Sequence, residues 1–251
     1  MRRPSTLGPI ATYARYELVR TARNRRFYLF AFGFPLALFY AIAAPQRGDH
    51  DLAGTGIAAP LYFMVSLAAF GTMNAVLATG GRIAGERSTG WNRHLRLTPL
   101  TTRGYFLTKV LTAYVTAAAT LVLFTVAGLT LGVRLPLVSW LEMMGLILVG
   151  LVPFAGLGVL MGHLLNIDSI GPAMGGTTAF LAFFGGVWFP ITSGAMHQVA
   201  MALPTYWLVQ AGHIGVGGHG WSLHGWVVIA VWSVGAAWLA QRAYARDTRR
   251  Y

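Results

Sequence analysis

The stretch LAGTGIAAPLYFMVSLAAFGTMNAVLATGG, residues 52–81, contains no Asp, Glu, Lys or Arg. A helix needs about 20 apolar residues to cross the ~30 Å hydrocarbon core of a bilayer, so this stretch is long enough for one span. Four further stretches lack the same charges, at residues 27–46, 110–133, 143–167 and 169–241. Together the five stretches predict six transmembrane helices near Phe27–Ala44, Ile57–Gly81, Val110–Val133, Met143–Leu165, Ser169–Phe189 and Trp221–Gln241.

The composition agrees with a membrane protein and excludes several other classes. Hydrophobic residues make up 55% of the chain and charged residues 10%, whereas a soluble domain carries about 25% charged residues. The high apolar fraction excludes intrinsic disorder, and the absence of cysteine excludes a disulfide scaffold. Continuously apolar stretches are typical of helices rather than of the alternating strands of a β-barrel. We therefore predict an all-α integral membrane protein that forms one transmembrane domain over residues 1–251.

The basic residues indicate the orientation of the spans. The net charge is +12, and Lys and Arg concentrate in residues 1–26, 82–109 and 242–251, with only Arg47 and Arg134 elsewhere. With six spans these three segments share one side of the membrane, which the positive-inside rule assigns to the cytoplasm. We expect both termini in the cytoplasm and the chain in the cell membrane. Because the charges flank spans, they suit anionic lipid headgroups better than nucleic acid.

Three segments lie outside the predicted spans. Apolar residues are interleaved with Arg over residues 9–26, which predicts an amphipathic interfacial helix in the cytoplasmic segment 1–26, although a merely basic flank would explain the charges equally well. Residues 82–109 form a cytoplasmic loop that is longer than a connector needs; this favours a docking surface, the alternative being an amphipathic loop on lipid. Residues 190–220 are apolar but interrupted by Pro and Gly, so we expect one or two short re-entrant helices on the outer side.

Motifs for catalysis or cofactor binding are missing or incomplete. The only lysine, Lys109, does not belong to a phosphate-binding loop, and no His begins an HExxH zinc motif. The histidines of the outer segment lack a standard metal-ligand spacing. We predict no catalytic, cofactor or metal site in this chain. The alternative is an intramembrane serine hydrolase that uses Ser193 and His224, although its Gly-x-Ser-Gly turn is incomplete.

The predicted spans carry no carboxylate near their midpoints. Glu142 and Asp168 lie at span ends, whereas an ion-coupled carrier usually needs an acidic group deep in a span. If the chain moves a solute, the energy therefore comes from another subunit. Weakly polar residues in the spans could line a path for it: Asn74, Thr116, Thr120, Thr125 and Thr177. The alternative is that these side chains bond their own backbone, as hydroxyls in spans often do.

Several short motifs, in order along nearly the whole chain, resemble the type-2 ABC exporter permeases, the membrane subunits of drug, lipid and polysaccharide efflux systems. The basic segment 1–26 is followed by a span with Pro35 in FAFGFPLALFY. The cytoplasmic stretch of the family, E-R-x-x-G…L…T-P-L…K, is matched by Glu86, Arg87, Gly90, Leu95, Thr98, Pro99, Leu100 and Lys109. The family's Gly-rich turn with Phe-Pro, then Leu-Pro and an aromatic residue, is matched by Gly185, Gly186, Phe189, Pro190, Leu203, Pro204 and Tyr206. Trp91, Asn92 and Arg93 depart from the small polar residue and carboxylate that the family often has after this glycine.

The resemblance implies a coupling region, an outer gate and a set of partners. The coupling region would dock in a groove of a separate ATP-binding subunit through Glu86, Arg87, Gly90, Trp91, Arg93, Leu95, Arg96, Thr98 and Pro99. Its arginines would pair with carboxylates of that subunit, which would hold ATP and Mg, and Trp91 would fill an apolar pocket. Two permease copies and two ATPase copies would form the transporter, and the motif residues between Gly185 and Tyr206 would form its outer gate.

The function that the resemblance implies is export of a hydrophobic or amphipathic, drug- or antibiotic-like substrate. Alternating access between two permeases would move it out of the cell, as in multidrug resistance. Export of haem, lipid or polysaccharide is an alternative, as is a non-transporting membrane anchor or immunity protein. The single lysine among 19 basic residues agrees with a GC-rich bacterial source.

Overall fold

The computed structural model describes residues 7–24, 29–91, 97–98, 100–216 and 220–248. Over these ranges the chain is helical and contains no β-strand, which confirms the predicted all-α class. The helices are α1 (Leu7–Ala22), α2 (Phe34–Ala43), α3 (Ala59–Ser88), α4 (Thr102–Thr130), α5 (Leu137–Gly150), α6 (Val152–Leu164), α7 (Ile167–Phe184), α8 (Gly194–Met201), α9 (Pro204–Gln210) and α10 (Leu223–Thr248). A π-helical turn, Leu29–Gly33, precedes α2, and 3-10 helices cover Leu52–Gly54 and Ala211–Val216.

Helix α3 is the centre of the molecule. It contacts α2, α4, α6 and α7, and large side chains such as Leu67 and Leu77 are fully buried. Helix α6 approaches it at glycines: a Cβ on Gly80 would lie 2.5 Å from the Gly158 carbonyl oxygen, and one on Gly162 would lie 2.8 Å from the Gly80 carbonyl oxygen. Lipid tails remove the hydrophobic drive between helices, so close packing at small residues holds such pairs together. Gly158 and Gly162 therefore join α6 to α3 within one chain.

Four helices among the described residues are long and apolar enough to cross a membrane: Ala59–Ser88, Arg103–Thr130, Leu137–Leu164 and Leu223–Asp247. They overlap the second, third, fourth and sixth predicted spans, and the third of them combines α5 and α6. At the first predicted span the described α-helix, α2, has 10 residues. At the fifth, α7 carries Asp168 in its first turn and Pro172 in its interior. The six-span count therefore stays a prediction.

Apolar side chains are exposed along the outer faces of these helices. On α4 they recur one or two turns apart, at Leu107, Leu111, Val115, Val122 and Val126. On α10 the exposed apolar residues include Trp226, Val227, Val231, Val234 and Trp238. Contiguous apolar surface of this kind is rare on soluble monomers, whereas lipid solvates it. The described helices are thus typical of a multi-pass membrane protein.

Both ends of the segment predicted as the cytoplasmic loop 82–109 are helical. Helix α3 continues to Ser88 because no strong helix breaker interrupts it, and it ends before Gly90, which adopts a left-handed φ of +70°. Helix α4 begins after Thr101, whose hydroxyl accepts a capping hydrogen bond from the backbone of α4. Residues 89–101 connect these two helices, and the structure describes 89–91, 97–98 and 100–101 of them. The long helices carry the residues Arg82, Glu86, Arg87 and Lys109.

The apolar segment 190–220 contains α8, α9 and the 3-10 helix Ala211–Val216. Helix α9 packs against α3, α5 and α10. It lies near the first turns of α3, whereas Glu86 lies in the last turn of the same helix. Tyr62 and Glu86 are separated along α3 by about 36 Å at ~1.5 Å per residue. The short helices and Glu86 thus occupy opposite ends of the molecule; the depth of 190–220 in the membrane stays a prediction.

Candidate functional site

A buried group of charged side chains joins α1, α3 and α4 at the end of the molecule that carries Glu86. We call it the Lys109 cluster, and its members are Glu17, Arg82, Glu86, Tyr105 and Lys109. The Lys109 side chain is 0% exposed, and its Nζ atom lies 2.7 Å from Glu17 Oε1 and 2.5 Å from Glu86 Oε1. Two carboxylates from two different helices therefore share one ammonium group.

The Glu86 carboxylate of α3 is held by side chains of two other helices, α1 and α4. Tyr105 of α4 donates its hydroxyl hydrogen to Glu86 Oε2 at 2.6 Å. Arg20 of α1 donates from Nη1 to Glu86 Oε1 at 3.2 Å, with half of the Arg20 side chain exposed. Together with Lys109, these bonds use both oxygens of Glu86. The side chain is therefore fixed inside the protein, with 2% of it exposed.

Glu17 is less completely paired than Glu86. Apart from Lys109, its charged neighbour is Arg82, whose Nε lies 3.8 Å from Glu17 Oε1. Glu17 Oε2 and Arg82 Nε are buried without a hydrogen-bond partner among the described residues. Arg82 donates from Nη1 to the Thr21 hydroxyl at 3.0 Å and from Nη2 to the Thr79 hydroxyl at 3.1 Å. The neutrality of this part of the cluster thus depends on Lys109 and Arg82 together.

Aromatic rings cover Lys109 on two sides. The Nζ atom lies 5.7 Å from the centre of the Tyr13 ring and 5.4 Å from that of Tyr105, which are cation–π distances. The Tyr13 hydroxyl is buried without a hydrogen-bond partner in the described part of the chain. Burial, followed by the charges of Glu86 and Glu17, raises the pKa of Tyr13 above its ordinary value. Tyr13 therefore stays a neutral phenol in the cluster.

Helical spacing brings these residues together. Tyr13, Glu17 and Thr21 recur every four residues on α1, as do Arg82 and Glu86 on α3 and Tyr105 and Lys109 on α4. Residues four apart lie on the same helix face. Each helix thus presents one polar stripe, and the three stripes meet. Sequence reasoning identified Glu86 and Lys109 but missed Glu17; its signal was a lone carboxylate in an otherwise basic segment.

A second ionic group fixes the end of α10 to α3 and α6. Arg87 lies against Asp247 with both nitrogen–oxygen distances short, 2.7 Å from Nε to Oδ2 and 2.8 Å from Nη2 to Oδ1. Its Nη1 also donates to the carbonyl oxygens of Gly162 and Leu165 at the end of α6. His163 Nδ1 lies 3.0 Å from Asp247 Oδ2. Arg87 thus has a carboxylate partner within this chain, with which a carboxylate of another subunit would have to compete.

The predicted coupling region follows directly on these two clusters. Trp91 is 38% exposed and Leu97 is 87% exposed, and Thr98 is exposed as well. Four of the predicted coupling residues, Arg93, Leu95, Arg96 and Pro99, lie outside the described residues. The described part of the connection 89–101 therefore presents apolar side chains to the surroundings, between two helix ends that buried charges hold in place.

The predicted gate residues lie at the opposite end of the molecule. Gly186 has a left-handed φ of +78°, and its carbonyl oxygen accepts a hydrogen bond from the buried Tyr62 hydroxyl. Leu203, Pro204 and Tyr206 are buried, while Phe189 is partly exposed against Phe183. Gly185 ends α7. Four of the predicted gate residues line one cavity: Gly185, Gly186, Pro190 and Tyr206.

Most of the candidate pathway residues bond their own helices. Asn74 donates to the Phe70 carbonyl at 3.0 Å. The hydroxyls of Thr116, Thr120 and Thr125 each donate to the carbonyl four residues earlier, and Thr177 is half-buried on α7. The alternative raised for these residues, hydrogen bonding within the helix, therefore describes the first four, and their place in a solute path stays a prediction.

The structure does not assemble the residues of the alternative hydrolase. Ser193 precedes α8 and is exposed, and His224 packs its ring edge-on against Trp207. No hydrogen bond joins Ser193 to His224, both of which the structure describes. Among the described residues there is also no group of three or more His, Cys, Asp or Glu side chains that could hold a metal ion.

Comparison with known proteins gives a transport relative. The "Putative transport permease YvfS" of Bacillus subtilis (strain 168) is 27% identical over 199 residues, which cover 76% of this chain and 78% of the relative. No protein-family model matches the chain. With its four span-length apolar helices, the chain is a multi-pass membrane protein similar to a transport permease.

Proposed function

We propose that this chain is the membrane subunit of an ATP-driven exporter and that residues 86–99 dock on a separate ATP-binding subunit. One observation carries the proposal: the connection 89–101 is anchored by buried charges on both flanks yet carries the exposed Leu97. A plain connector gains nothing from an apolar side chain that is 87% exposed, because water disfavours such surface. A partner's apolar pocket would bury it together with Trp91.

The anchoring explains how a push on the connection would reach the membrane helices. Glu86 lies in the last turn of α3 and Lys109 in the second turn of α4, and the two are hydrogen-bonded inside the protein. Glu17 adds α1 to the same unit. A force on residues 89–101 would therefore move the ends of α1, α3 and α4 together, since breaking a buried ion pair is strongly unfavourable.

The assembly that we propose has two copies of this chain and two of the ATP-binding subunit. The partner holds ATP and Mg, and its closure rocks the two permeases between inward- and outward-open states. Each permease has six spans, with both termini in the cytoplasm and the segment 190–220 at the outer side. The cargo is a hydrophobic or amphipathic compound that leaves the cell. The transport-permease relative and the distribution of basic residues support this arrangement.

Within the docking segment, the described residues divide into anchors and contacts. Glu86 and Arg87 are bound within this chain, to the Lys109 cluster and to Asp247. We assign them to the anchoring of the segment. Trp91 and Leu97 are exposed apolar side chains of this segment, and we assign them to contact with the partner, in the manner of interface residues that fill a pocket.

The test is co-purification with an ATP-binding subunit, for which a reading frame next to that of this chain is the first candidate. Trp91→Ala combined with Leu97→Ala should abolish co-purification and the ATP hydrolysis of the complex, with the permease still folded. The matched control is Leu137→Ala, because Leu137 is an exposed leucine on α5. If the double variant retains the partner and its ATPase activity as the control does, the docking assignment is wrong.

A further inference from the structure

A cavity of about 240 Å³ lies between the loop after α2, the first turns of α3 and the short helices of segment 190–220. It is lined by polar and aromatic side chains, among them Thr55, Tyr62, His197, Tyr206 and His213. Its volume falls below the roughly 300–1,000 Å³ of pockets for drug-sized ligands. The cavity therefore suits a molecule smaller than the exported compounds considered above.

The two histidines, His197 and His213, each hydrogen-bond through Nδ1 to a backbone carbonyl oxygen. His197 Nδ1 lies 3.1 Å from the Ile191 carbonyl oxygen, and His213 Nδ1 lies 3.3 Å from the Gln210 carbonyl oxygen. A carbonyl oxygen only accepts, so both Nδ1 atoms carry hydrogen. In a neutral ring the other nitrogen, Nε2, is then an acceptor. Burial lowers the pKa of His213, which favours the neutral ring.

Neither acceptor is used by the described part of the protein. No hydrogen bond from a described residue reaches Nε2 of His197 or of His213. The rings are thus held by their Nδ1 atoms while their Nε2 atoms remain available. A ligand that donates hydrogen bonds would satisfy both atoms.

The lining also excludes charged ligands. None of the described residues that line the cavity is an Asp, Glu, Lys or Arg, and an ion without a counter-charge loses much of its hydration energy on entering. The lining also includes the apolar side chains of Pro190, Ile191 and Val209. The site therefore combines two acceptors, two tyrosines and apolar side chains.

We propose that this cavity binds a small uncharged compound with several hydroxyl groups on an apolar ring or frame, such as a single sugar ring. The hydroxyls donate to Nε2 of His197 and His213, and the carbon face packs against Ile191 and Val209. The site lies within one copy of the chain, so it does not depend on the ATP-binding partner or on a second permease.

The test uses the full chain in nanodiscs without glycolipid and four probes in saturation-transfer NMR titrations. Methyl β-D-glucopyranoside should bind, and tetrahydropyran, tetramethylammonium and methyl phosphate should not. The variant His197→Phe combined with His213→Phe should weaken glucoside binding about 30-fold, which corresponds to about 2 kcal/mol for two hydrogen bonds. His50→Phe is the control, because His50 is exposed and does not line the cavity.

A second variant keeps the test decisive if the double histidine variant misfolds. Gln210→Glu places a carboxylate in the lining, so it should lower the affinity for the glucoside and create binding of tetramethylammonium. The proposal is overturned if the glucoside does not bind, if neither variant changes its binding, or if the wild-type chain binds a charged probe equally well. Stoichiometric Zn²⁺ binding that displaces the glucoside would also overturn it, by assigning the imidazoles to a metal.

Discussion

Replacing Lys109 by methionine tests whether the buried cluster holds α1, α3 and α4 together. The substitution removes the ion pairs of Lys109 with Glu17 at 2.7 Å and with Glu86 at 2.5 Å. Methionine keeps an unbranched side chain of similar length. Glu86 retains Tyr105 and Arg20, but among the described residues Glu17 keeps only Arg82, at 3.8 Å, as a charged partner. Removing one partner of a buried ion pair costs about 3–5 kcal/mol, so we expect the free energy of unfolding to fall by that amount.

A second substitution completes a double-mutant cycle by removing the Glu17 carboxylate, which Lys109→Met leaves without its ammonium partner. Glu17→Gln in the Lys109→Met background should recover roughly 1–3 kcal/mol, because residues in one ionic network couple non-additively by that amount. The assay is reversible unfolding in bicelles by steric trapping. Glu142→Gln is the control, since Glu142 is exposed on α5. A loss below about 1 kcal/mol for Lys109→Met, or additive effects of the two substitutions, would refute the role of the cluster.

Three further substitutions test other parts of the fold. Asp247→Asn should cost about 1–3 kcal/mol, because it leaves the Arg87 guanidinium without its counter-ion, and should speed hydrogen exchange in the last turn of α10. Gly80→Ala should lower the Tm of the permease, because its Cβ would lie 2.5 Å from a carbonyl oxygen of α6, whereas Gly145→Ala, with open space around it, should not; equal Tm values would contradict the close packing of the two helices. Tyr62→Phe should cost about 1–2 kcal/mol by removing the hydrogen bond to the Gly186 carbonyl, measured by the same unfolding assay.

Four of the predicted spans overlap helices of span length, and they could be predicted from the sequence because absence of charge is a local property. The predicted second span began within two residues of α3, and the predicted sixth span within two residues of α10. Where the prediction differed, the reason was also local. We predicted that the second span ends at Gly81 because charged residues follow it. Charged residues are compatible with a helix, however, and α3 continues to Ser88.

The pairing of charges could not be predicted because it is not local. Glu17 and Lys109 are 92 positions apart, and Arg87 and Asp247 are 160 apart. The sequence places these charged residues next to the ends of predicted spans. A single sequence does not indicate which span ends lie in contact in the folded protein. The same holds for Gly158 and Gly162, which the structure places against Gly80. In each case the sequence shows which residues share a helix face, but it does not show which residues of another helix that face contacts.

Site-specific cross-linking tests the proposed coupling most directly. The chain has no cysteine, so Leu97→Cys creates a single labelling position, and Leu137→Cys creates a control at the exposed start of α5. Each is labelled with a benzophenone maleimide in membranes that contain the proposed ATP-binding subunit and is then irradiated. The account predicts that position 97 cross-links to the ATP-binding subunit and position 137 does not. Cross-linking of position 97 to lipid alone, or equal cross-linking from both positions, would contradict it.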